Sequence, residues 1–103
     1  NSVAETTDSS SVSGTEIYYH YNTSAQFAQI LHDTMTQCLG REPRGAIQST
    51  YRVTRMTFCP SVLVENGFMS NPWEYESLCD SFTIFRTANA VAMGIVDTIK
   101  AAN

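Results

Sequence analysis

Glu65 is the residue whose type and setting first suggest chemistry. It closes the apolar run Val62-Leu63-Val64, and Asn66-Gly67 follows it, a pair that lets a backbone turn away sharply. In open α/β sheets ligands bind beyond the carboxyl ends of strands. A partly desolvated carboxylate at such an end could exchange protons near neutral pH. Position alone leaves open that Glu65 simply emerges into solvent at a strand end. The other candidates are weaker. His20 and His32 are the only histidines, with no HxH, HxxxH or HxxE spacing. A metal site needs three or four converging ligands, so no metal ligand is expected within this chain. His32 is expected on the polar face of a helix and His20 at the rim of a strand. No Gly-x-Ser-x-Gly nucleophile elbow is present. Cys38, Cys59 and Cys79 form no CxxC, and buried free thiols are expected, two of them lying among apolar residues.

The elements that would hold Glu65 follow from patterning. Residues 1–14 are rich in Ser and Thr and end in Gly14, so they are expected to form a loop or frayed arm. Thr15 to Tyr21 is β-branched and aromatic, which predicts a strand. Asn22-Thr23-Ser24 supplies a turn and an N-cap. Phe27, Ile30, Leu31, Met35 and Cys38 then recur at helical spacing over Ala25–Leu39, with Gly40 as the stop. Residues 41–50, carrying Pro43 and Gly45, are expected to be a loop, followed by a short strand over Tyr51–Thr54. Ser61 to Glu65 reads as a strand covered on both faces. Asn71-Pro72-Trp73-Glu74 has an N-cap residue, Pro at the first helical position and Glu at the third, so a short helix should begin there. Ser81 to Ala101 predicts a long amphipathic helix with Ile84, Phe85, Ala88, Val91, Ala92, Ile95 and Ile99 on one face. Strands and helices in this order indicate an α/β layered domain with few strands.

Composition narrows the partners. A chain of 103 residues fits one compact domain, and 43% hydrophobic against 16% charged residues is globular. The formal net charge is −4, which argues against a polyanion as the partner. Arg41, Arg44, Arg52 and Arg55 fall within one stretch, and solvated loop charges are expected there. Nucleic acid is therefore not an expected partner, and no apolar stretch reaches membrane-spanning length. The chain opens on Asn1 without a Met or a leader, and is expected to be a piece or a processed product of something longer.

Pro60-Ser61-Val62-Leu63-Val64-Glu65-Asn66-Gly67-Phe68-Met69-Ser70-Asn71-Pro72 resembles the signature of the zinc-dependent N-acetylmuramoyl-L-alanine amidases that cleave peptidoglycan. The pattern there is Pro, a small residue, apolar-Leu-Val-Glu, any residue, Gly-Phe, apolar, Ser-Asn-Pro. Gly14 to Tyr19 is similar to the family's Gly-x-Glu-x-Tyr-Tyr strand. Ser24 to Leu39 is similar to the following helix, Arg44-Gly45 to the Arg-Gly of the next loop, and Tyr51 to Arg55 to the strand before the signature. The resemblance implies a three-layer αβα sandwich with a mixed or parallel sheet, represented here by the C-terminal half of the catalytic domain over 15–103, without its N-terminal strands. It implies Glu65 as general base or acid, with Asn66, Gly67, Phe68, Ser70 and Asn71 supporting the loop or lining the substrate groove. It also implies Zn2+ in the complete domain. The family's ligands, a His in a Gly-His-Gly turn, a Glu and a His in a Ser-x-His strand end, would all precede Asn1. The implied partner is the peptidoglycan stem peptide and glycan, and the implied location the bacterial cell envelope or exterior. A half-domain with an open sheet edge could instead bind without catalysis, or pair with a second copy.

Overall fold

The computed structural model describes residues 8–103, so the first half of the expected N-terminal loop, residues 1–7, lies outside the described residues. The elements are β1 (Thr15–Tyr19), α1 (Ala25–Leu39), β2 (Pro43–Gln48), β3 (Val62–Glu65), α2 (Pro72–Cys79) and α3 (Ser81–Ala102). Single 3-10 turns at Asn22–Ser24 and Val53–Arg55 join them. The three strands lie in the order β2-β1-β3, with β2 parallel and β3 antiparallel to β1. The fold is mixed α/β, as expected. Among the described residues no helix is long and apolar enough to cross a membrane.

Ile17 is fully buried against Ala28, Leu31 and Met35 of α1, with Tyr19, Ala46, Val62 and Val64 packed around them. α1 therefore covers one face of the sheet. Strand alternation sends Glu16, Tyr18, Leu63 and Glu65 to the other face. α3 lies against α1 through its small residues. Ala90 and Gly94 are its buried positions, and a Cβ on Gly94 would stand 2.5 Å from Leu31 Cδ1 and 3.2 Å from Leu31 Cα. The stripe expected to face the core is displaced accordingly. Ile84, Phe85, Ile95 and Ile99 are exposed among the described residues. Size explains it, because only the small stripe lets two helix backbones approach closely.

Three other expectations change. The central, most buried strand is β1, while β3 is an edge strand whose residues are half-buried. Residues 41–50 hold a strand, and Val53–Arg55 a 3-10 turn where a strand was expected. β2 escapes its pattern because Pro can open an edge strand and Gly can occupy a bulge. Thr15 pairs with Pro43 but Glu16 pairs with Gly45, so Arg44 is the extra, bulged residue, and Gly45 takes φ 98°. Finally, all three cysteines are free, yet Cys59 and Cys79 are exposed and Cys38 only half-buried. They sit on a loop and at helix ends, where apolar neighbours in sequence do not make a core.

Candidate functional site

The register places Glu65 directly opposite Glu16 on the face away from α1. Glu65 is half-buried at the carboxyl end of β3, while Glu16 is 6% exposed. Glu16 is held from two sides. The Tyr18 hydroxyl donates to Glu16 Oε1 at 2.6 Å, and Arg44 Nε donates to Glu16 Oε2 at 3.2 Å. Burial first, then the bond to Glu16, pushes the Tyr18 hydroxyl well above the usual tyrosine range, so it stays a proton donor. The bulge in β2 aims Arg44 at this face, and its guanidinium also lies 4.9 Å over the Phe68 ring. The bulge further frees the Gly45 N–H, which donates to His32 Nε2 at 2.9 Å. His32 must then carry its proton on Nδ1, which faces Asp33 Oδ1 at 2.9 Å. The residue expected on a polar helix face is thus 3% exposed. Its position on α1 was polar by local pattern, and a strand arriving later in the chain covered it.

The residues after Glu65 divide by role. The Asn66 carbonyl accepts from Thr15 Oγ1 at 2.9 Å, and Asn66 borders a groove with Leu78, Thr83, Ile84 and Thr87 of α2 and α3. Gly67 is buried, but its φ is not in the left-handed region, so the turn does not draw on glycine's freedom. Phe68 is buried at 3% and Met69 is exposed. The Ser70 hydroxyl donates to the Ser9 carbonyl at 2.8 Å. Asn71 Oδ1 accepts from the N–H groups of Trp73 (3.0 Å) and Glu74 (3.2 Å), the predicted N-cap, and its Nδ2 donates to Val12 O at 3.2 Å. Residues 8–14 therefore form a loop tied to the segment after Glu65.

Two site residues escaped the sequence reading. Glu16 matched the Glu of the family strand pattern but was given no role, and the pairing with Glu65 is what brings it to the site. Glu74 was seen as a helix-start residue, yet its carboxylate accepts from the N–H groups of Phe68 and Gly14 and from Arg41. The described residues contain no group of three or more His, Cys, Asp or Glu placed to hold a metal. His20 lies beyond the far end of β1, with Nδ1 3.0 Å from Thr50 Oγ1.

The arrangement sets a half-buried carboxylate, Glu65, at the end of an edge strand, opposite the more deeply buried carboxylate of Glu16. Comparison with known proteins gives the family. The family model described as N-acetylmuramoyl-L-alanine amidase matches residues 3–97. A probable cell wall amidase, LytH, of Staphylococcus epidermidis is 31% identical over 93 residues, covering 90% of this chain and 31% of that protein. The catalytic domain of CwlV, an N-acetylmuramoyl-L-alanine amidase from Bacillus (Paenibacillus) polymyxa, superposes with a TM-score of 0.85 at 34% identity, over 97% of this chain and 54% of that one. The amidase AmiC2 of Nostoc punctiforme gives 0.86 at 28% identity, over the same shares of 97% and 54%. The chain thus spans about a third of the curated relatives it matches and about half of the solved domains. With the signature, the strand pairing and the family model in agreement, the chain belongs to the N-acetylmuramoyl-L-alanine amidase family.

Proposed function

We propose that this chain is the C-terminal half of a cell-wall amidase catalytic domain. The complete domain would hydrolyse the amide joining N-acetylmuramic acid to the L-alanine of the peptidoglycan stem. The supporting observation is the site of Glu65, which ends an edge strand inside the family signature, half-buried, on the face that α1 leaves open. Glu65 is the general base and acid. Its carboxylate takes a proton from the attacking water and returns it to the departing amine. Glu16, facing it across the sheet, is more deeply buried, and Tyr18 and Arg44 donate to its oxygens, so it is read as structural support. Lewis acidity toward the scissile carbonyl would come from zinc held by residues outside this chain, as the family likeness implies. Action would then lie in the cell envelope or outside the cell, where the substrate is.

Replacing Glu65 with Gln in the complete protein tests this. We expect kcat on a muramoyl-alanyl peptide to fall by about a thousandfold with KM little changed. A Glu65→Gln enzyme retaining more than about a tenth of the parental kcat would refute the assignment. The same assay expects no hydrolysis from the chain of residues 1–103 alone.

A further inference from the structure

We propose that Glu74 is a positioning residue for Glu65, acting through the backbone on both sides of the Glu16–Glu65 pair. The proposal rests on the reading of Glu65 as the acid-base group. Glu74 stands at the third position of α2, behind the N-cap Asn71. In a capping box a Glu at this position would reach back to the N–H of the cap residue. Here that N–H is otherwise engaged, donating to the Phe68 carbonyl at 3.1 Å. The Glu74 side chain instead crosses away from its own helix end. Oε1 accepts from Phe68 N–H at 3.0 Å, and both oxygens accept from Gly14 N–H, at 3.1 and 3.0 Å. Arg41 Nη1 closes the cluster at 3.3 Å from Oε2.

These partners are not scattered. Phe68 follows Glu65 by three residues along the segment leaving β3, and Gly14 precedes Glu16 by two residues entering β1. One carboxylate therefore holds the exit of one strand and the entry of its neighbour at the end where the two glutamates face each other. Thr15 Oγ1, donating to Asn66 O at 2.9 Å, ties the same two segments a second time. The surroundings fit a fixed group. Glu74 is 7% exposed, and a Cβ on Gly67 would lie 3.5 Å from its Oε1. The Gly14 backbone has φ 115° and a Cβ there would stand 2.4 Å from Glu42 O, so only glycine lets this N–H reach the carboxylate. A simple helix cap needs none of this. The geometry sets where the Glu65 carboxyl can sit, and small displacements of a reacting group are costly to rate.

The test compares Glu74→Gln, Glu74→Asp and Glu65→Gln in the complete protein. The measurements are kcat and KM on a muramoyl-alanyl peptide per folded molecule, with hydrogen exchange at the Phe68 and Gly14 amides. Gln keeps an acceptor oxygen but turns an NH2 toward donors, and Asp keeps the charge but falls short. We expect both to lower kcat by about ten- to a hundredfold with KM within about twofold, and to speed exchange at both amides. Should one variant fail to fold, the other carries the same criterion. Full kcat in folded Glu74→Gln or Glu74→Asp, with Glu65→Gln inactive, overturns the positioning role alone. An active Glu65→Gln enzyme overturns the reading beneath it, and the proposal with it.

Discussion

The two ends of the sheet are built by different means. At the end of Glu65, buried polar groups converge. Thr15, Glu16, Asn71 and Glu74 are all buried, and Arg41, Arg44 and Tyr18 bond to the carboxylates among them. At the other end, His20 and Tyr21 leave β1 and the segment 51–60 leads into β3. There Met56, Phe58 and Cys59 are exposed, around a groove they share with Tyr21 and Thr23. The groove at that far end is lined by no charged side chain, whereas the Glu65 end, which has a groove of its own at Asn66, has the convergent charges. A hollow does chemistry only where polar groups converge on it. The contrast fits the proposal that the chemistry lies at the clamped end.

The sharpest way to break this comparison is to remove the clamp. Glu74→Ala removes the carboxylate partner of the buried Arg41 guanidinium, leaving it only Ser77 Oγ, and leaves two backbone N–H groups unpaired. We expect a loss of about 3–5 kcal/mol, measured by urea unfolding of the complete protein. A loss below about 1 kcal/mol would mean that the polar end is no better fastened than a surface ion pair. Asn71→Ala comes next. It removes the acceptor for two N–H groups of α2, and about 1 kcal/mol is expected in the same measurement. Phe58→Ser at the far end should move stability by less than about 0.5 kcal/mol and leave kcat unchanged. A large effect there would show that the hollow is filled and functional in the complete protein, which erases the contrast.

Much of the clamped end was visible in the amino-acid order. Glu65, its apolar strand, the Asn71 cap and the start of α2 all came from local signals, and α1 spans the predicted Ala25–Leu39. These features are set by neighbours within a turn or two of chain, so periodicity and capping rules suffice. β2 was not visible. Pro43 and Gly45 are loop signals locally, and they become strand residues only because β1 offers a ladder and a bulge absorbs Arg44. His32 was misplaced for a related reason, since the N–H that it accepts belongs to that bulge.

What local order established, then, is where helices begin and which carboxylate ends an apolar strand, because backbone propensity and side-chain spacing act over a few residues. Packing alone settled that Glu16 faces Glu65, that Arg44 neutralises Glu16, and that Glu74 leaves its helix to bind backbone 60 residues away at Gly14. Burial is the reason. A polar group removed from water takes whichever partner the fold brings within reach, and that partner's position in the chain carries no local signal.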